Sequence, residues 1–119
     1  MPESLPVETR DNRHVVLTRA FLQQAQFAAA VAEVERQLYP DALRIRFTVD
    51  EDWTGDPAVH FRILLPDEVC ESGKILPATR KIREKIEKDI DPMEEWGVMP
   101  YYRYRGASEQ AKFAAPEFT

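Results

Sequence analysis

From Arg44 to Pro66 the chain reads RIRFTVDEDWTGDPAVHFRILLP, and apolar and polar residues alternate on both sides of an acidic loop. Leu43, Ile45, Phe47 and Val49 share one parity, and Arg44, Arg46 and Thr48 the other. Successive strand residues point to opposite faces, so this predicts a strand over 43–49 with one buried face. Val59, Phe61, Ile63 and Leu65 repeat the pattern against His60, Arg62 and Leu64, which predicts a second strand over 58–65. The connecting DEDWTGDP segment has the turn residues of a hairpin loop.

Upstream the period changes to that of a helix, over 18–38. Phe27, Val31, Val34 and Leu38 make one stripe, and Leu17, Phe21, Ala25, Ala28 and Ala32 a second. Together they predict a wide apolar face with small residues for close packing on a sheet. Tyr39-Pro40 ends the helix, because proline cannot continue it. Residues 66–77 are turn-rich. A charged helix follows over 78–90, with Ile82, Ile86 and Ile90 on one side. Arg80–Glu84, Arg83–Glu87 and Glu84–Lys88 support it at a spacing of four. Gly97 breaks the helical pattern, and the aromatics of MPYYRYR predict a third strand over 99–105.

The order α-β-β-α-β predicts an α+β fold in two layers. Two helices cover one face of a three-stranded, mainly antiparallel sheet. Residues 1–13 read as a flexible N-terminal arm, 14–106 as a single domain, and 107–119 as a weakly structured C-terminal tail. Among 119 residues, 44% are hydrophobic and 31% charged, which fits one globular domain. The net charge of −5 argues against bulk binding of polyanions, which needs clustered Lys and Arg. No apolar run is long enough to cross a membrane. The N-terminus lacks the apolar stretch of a signal peptide, so the expected location is the cytoplasm.

Chemistry is sparse in this pattern. Cys70 is the only cysteine, so neither an internal disulfide nor a zinc site built on several thiolates is available. Asp50, Asp52 and Asp56 around Gly55 open like a calcium loop, but the twelfth position from Asp50 is Phe61, where a bidentate Glu is needed. The alternative is a hairpin loop whose Asp side chains bond its own amides, with Trp53 folded back over the sheet edge. His14 and His60 have no metal-ligand spacing around them. Cys70 with His60 as base would form a nucleophilic pair. The acidic DEVCESG context instead raises a thiol's pKa. Glu94-Glu95 and Asp89-Asp91 sit at a helix end as solvated groups. No phosphate-binding glycine motif is present. The expectation is a non-enzyme with no cofactor, catalytic residue or metal.

What remains is the polar sheet face. Arg44, Arg46 and Arg62 lie on it. Strand register decides whether Arg103 and Arg105 or Tyr102 and Tyr104 join them. Arg with aromatics suits a protein interface, where Tyr and Arg concentrate binding energy. It also suits a platform on which nucleic-acid bases stack. A third reading is a surface salt-bridge network, worth about 0–1 kcal/mol per pair. The reading adopted is a non-catalytic interaction or regulatory module, accessory or antitoxin-like. It grips a protein partner through Arg44, Arg46, Arg62, Arg103, Arg105, Tyr102, Tyr104 and Trp53. Single-stranded nucleic acid is the alternative ligand, and a second copy a further candidate partner, through an open edge at the third strand.

The residues Asp52, Trp53, Gly55, Asp56, Pro57 and Ala58, then Phe61, Arg62 and Ile63, form a D-W-x-G-D-P-A loop and an F-R-I strand. With Pro100, Tyr101, Ser108, Glu109 and Gln110 near the C-terminus, this pattern resembles a small family of uncharacterised bacterial proteins over roughly residues 43–112. The resemblance implies a fold and no chemistry. The element order also resembles that of KH-like domains, but the G-x-x-G clamp that grips RNA there is absent.

Overall fold

The computed structural model describes residues 17–71, 73–113 and 118. The expected arm over 1–13, His14, and residues 114–117 and 119 of the expected tail lie outside the described residues.

Thr18 caps the first helix. Its hydroxyl accepts from the Phe21 amide at 3.2 Å, satisfying one of the unpaired donors of a helix start. Helix α1 (Arg19–Leu22) is short, because Gln23 leaves the helical region with φ −122° and ψ 55°. Helix α2 (Gln24–Leu38) then continues. The single helix expected over 18–38 is therefore two. Of its two apolar stripes only Phe27, Val31, Val34 and Leu38 are buried. Leu17, Phe21, Ala25, Ala28 and Ala32 stay exposed. One helix presents a limited arc to a sheet, and large side chains gain far more from burial than alanines do, about 1.5–3 kcal/mol each.

Strands β1 (Arg44–Glu51) and β2 (Pro57–Leu65) pair antiparallel, with Phe47 opposite Phe61. Strand β3 (Met99–Gly106) pairs parallel to β2, with Phe61 opposite Tyr102. The order is β1-β2-β3. The sheet is thus mixed rather than mainly antiparallel. The chain between β2 and β3 passes through α3 (Ile75–Asp89) and α4 (Pro92–Trp96). Such a helical crossover returns the chain to the end where β2 began, so β3 runs the same way. Alternation along a strand carries no record of its direction.

Helix α3 begins three residues earlier than its periodicity indicates, with Pro77 in its first turn, where a missing N–H costs nothing. Its Ile82 and Ile86 are fully buried, and Ile90 closes the same side. Phe27 sits at the centre of the core. Its ring meets Phe47 edge-on at 4.9 Å, Trp96 edge-on at 5.0 Å, and Phe61 stacked at 6.3 Å. The Arg19 guanidinium lies 4.1 Å above Trp96, tying α1 to α4. Helix α5 (Ala107–Phe113) occupies the start of the expected tail. Asp67, in a short 3-10 turn after β2, accepts from the Ser108 amide at 2.9 Å and from the Ser108 hydroxyl. This cap comes from a residue 41 positions away, so local sequence could not display it.

Candidate functional site

The two registers line up the polar side chains in rows across the sheet. Arg46 is opposite Arg62, and Arg62 opposite Arg103. The next row is Arg44, Leu64 and Arg105, and the row on the other side is Thr48, His60 and Tyr101. Side chains directly opposite on one face stand about 4.5–5.5 Å apart at Cβ. Five predicted arginines, Arg44, Arg46, Arg62, Arg103 and Arg105, therefore share the face turned away from α2 and α3.

Tyr102 and Tyr104 do not join them. Tyr102 is opposite Phe61 and Tyr104 opposite Ile63, both on the helix-covered face. The Tyr102 hydroxyl donates to Glu87 Oε2 at 3.1 Å, and that of Tyr104 to the Thr79 carbonyl at 3.4 Å. Burial pushes both phenols above their usual range, and for Tyr102 the neighbouring Glu87 carboxylate adds to it. The expected place of these two tyrosines beside the arginines on the outer face is thus corrected. The β2–β3 register, which sets parity, decides it. Tyr101 takes that place instead. Its ring stacks on His60 at 5.5 Å. The parity it shares with Arg103 and Arg105 was the available signal.

The arginine row is engaged within the chain. Arg46 forms an ion pair with Glu35 at 3.7 Å, and Arg62 Nη1 donates to the His60 carbonyl at 3.2 Å. The guanidiniums of Arg103 and Arg105 lie 5.4 and 5.0 Å from the Phe118 ring, which is 2% exposed. None of Arg46, Arg62 and Arg103 is without a partner. Periodicity had no way to place Phe118 here, since it belongs to no strand or long helix.

The loop between β1 and β2 is organised by Asp52. Oδ1 accepts from the Thr54 amide at 2.9 Å, the Thr54 hydroxyl at 2.6 Å and the Asp56 amide at 3.0 Å. Oδ2 accepts from the Tyr101 hydroxyl at 2.9 Å. Backbone bonds between Asp52 and Asp56 and from Gly55 to Asp52 close the turn, with Gly55 at φ +89°. The Thr54 hydroxyl, the Asp56 amide and the Tyr101 hydroxyl hold the Asp52 carboxyl down to about 2. In return the carboxylate raises the Tyr101 phenol. Asp52 is therefore an acceptor for its own loop, the use expected for a hairpin. Trp53 does not fold back over the sheet edge. It projects from the loop 90% exposed, while the loop closes on the Asp52 carboxylate instead.

His60 Nε2 lies 3.0 Å from the Glu51 carbonyl oxygen. Cys70 is exposed, yet partial desolvation of its thiol, with the Asp67 and Glu109 carboxylates nearby, pushes that thiol up. Among the described residues no group of three or more His, Cys, Asp or Glu is placed to hold a metal ion.

Fold and site together define a small α+β domain with a mixed three-stranded sheet, an arginine-rich outer face and a hydrogen-bonded loop presenting a tryptophan. No protein-family model matches the chain, and neither a curated protein nor a solved structure matches it. Among the described residues no helix is long and apolar enough to cross a membrane.

Proposed function

We propose that the chain is a non-catalytic interaction module that grips a protein partner through Trp53 and the outer sheet face. The observation that carries this reading is the 90% exposure of Trp53 on a loop pinned by four hydrogen bonds to Asp52. Trp is the residue type most enriched among interface anchors, and a pre-ordered loop loses little entropy on binding. Tyr101 connects the loop to the row of His60 and Thr48, next to the arginine row. A partner that seats the indole thus meets guanidiniums suited to bidentate contacts with its carboxylates. The raised Cys70 thiol and the engaged His60 nitrogen agree with a role without catalysis. A small regulatory or accessory protein of the cytoplasm, antitoxin-like in its dependence on a partner, fits this reading.

The test is affinity capture from the source cells with and without nuclease, using the native chain, Trp53→Ala and Arg62→Glu. A stoichiometric partner protein that survives nuclease and is lost from Trp53→Ala, with an unchanged melting curve, is the expected result. Capture that disappears with nuclease in all three forms replaces the protein partner with a nucleic acid.

A further inference from the structure

The outer edge of β1 carries a charge pattern that matches itself only in reverse. Arg44 stands at its start and Asp50 and Glu51 at its end, with Phe47 between. Among the described residues no strand pairs with this edge. The backbone groups on it can be assigned. The Ile45 amide donates to Glu35 Oε2 at 2.7 Å, so it does not serve β2. An antiparallel ladder alternates, which puts the amides and carbonyls of Phe47 and Val49 on the same open side. Beside that edge runs the exposed stripe of α2. Ala28 and Ala32 line a shallow groove with Glu35 of α2 and with Ile45, Arg46 and Phe47 of β1, so the stripe faces sideways over the open strand. Ala25, exposed one turn earlier on α2, extends it.

We infer that this edge is a self-association surface, on which β1 of one copy pairs antiparallel with β1 of a second around a two-fold axis at Phe47. In that register Arg44 lies opposite the other copy's Asp50, Arg46 opposite Thr48, and Ile45 opposite Val49. Parallel pairing in register would set Arg44 on Arg44 and Asp50 on Asp50, which is destabilising. A strand that opposes its charges only when reversed is complementary to a two-fold copy of itself, as a closed homodimer requires. The residues with outward backbone groups are the same odd-numbered ones that this register uses for hydrogen bonding. The axis stands perpendicular to the joined sheet, so both α2 helices fall on the same side and meet along their alanines. Small residues there let the helices approach closely. They add apolar area to strand pairing, which alone falls short of the roughly 1,600 Å² of a standard stable interface. Glu35 guards the Ile45 donor in the single copy, as edge strands are commonly guarded, and releases it on pairing. This surface does not depend on Trp53 and leaves it exposed, so it stands apart from the partner reading above.

Sedimentation equilibrium of the full chain, with Arg44→Asp, Asp50→Arg and the double swap, tests it. The native chain is expected to form a dimer. Each single reversal sets like charges opposite and is expected to weaken it on the order of tenfold or more. The double swap Arg44→Asp with Asp50→Arg is expected to recover it. A native chain that stays monomeric overturns the inference. So does a dimer indifferent to the single reversals, or one that the double swap fails to restore. Hydrogen exchange on the native chain gives a second readout that needs no variant. The Phe47 and Val49 amides are expected to gain protection as concentration rises, and protection independent of concentration counts against the dimer.

Discussion

The Tyr101 hydroxyl donates to Asp52 Oδ2 at 2.9 Å and so fastens the β1–β2 loop to the third strand. Asp52 titrates near 2 in the folded chain, below the usual 3.8. A depressed carboxyl contributes stability that is fully present above the unfolded pKa and fades as pH falls through the folded one. The loop is therefore expected to hold at pH 5 and above and to loosen between about pH 4 and pH 2. An NMR titration of the Asp52 carboxyl carbon is expected to show a midpoint near 2. Tyr101→Phe, which removes one donor, is expected to move that midpoint upward. A midpoint near 4 in the native chain would mean that the loop is not held by Asp52.

Phe61 is fully buried between Phe27 and Tyr102, with ring centroids at 6.3 and 5.5 Å. Truncation leaves a cavity bounded by both layers. Phe61→Ala is expected to cost about 3–5 kcal/mol in urea unfolding. That is a large share of the roughly 5–15 kcal/mol of a typical domain. A loss below about 1 kcal/mol, the level of an average substitution, would contradict the packing described.

Gly97 ends α4 at φ +72°, in the left-handed region that side chains disfavour. An added Cβ would lie 3.5 Å from Thr18 Cβ, which is ordinary contact, so the penalty is one of backbone strain. Gly97→Ala is expected to cost about 1–2 kcal/mol and lower the melting temperature accordingly. An unchanged melt would show that the helix end is formed some other way.

The Asp52 carboxylate is occupied on both oxygens by donors of its own chain. A hard cation would have to displace those donors without the bidentate Glu that completes a calcium loop. Titration calorimetry with calcium, magnesium and zinc is expected to show nothing tighter than about millimolar. Micromolar binding that vanishes in Asp52→Ala would overturn this.

The helices and strands were readable because each buries one face, and burial of one face imposes a period. Ile45, Phe61 and Ile63 mark the inner side of β1 and β2 by alternation alone, and Ile82 and Ile86 mark that of α3. Arg44, Arg46 and Arg62 were placed on the outer face by the same argument. The period could not rank two apolar stripes on α2. Packing against Phe47 and Phe61 chose the one with Phe27 and left the alanines outside. Nor could it see the break at Gln23 or the α5 cap from Asp67, which depend on single backbone angles and on a residue far away in the chain.

The amino-acid sequence by itself determined the period of each element, the loop chemistry of DEDWTGDP and which residues of β1 and β2 share a face. Those properties are local, arising from side-chain direction and burial within a few residues. Only the tertiary structure decided that β3 runs parallel to β2, and that Arg103, Arg105 and Tyr101 face outward while Tyr102 and Tyr104 lie under α3. It also decided that Trp53 stands free of the sheet and that Phe118 lies under two guanidiniums. In a segment as evenly aromatic and basic as YYRYR, either parity can be buried. The choice is made by what Phe61 and the α3 side chains offer across the sheet, a contact between parts of the chain that no local pattern joins.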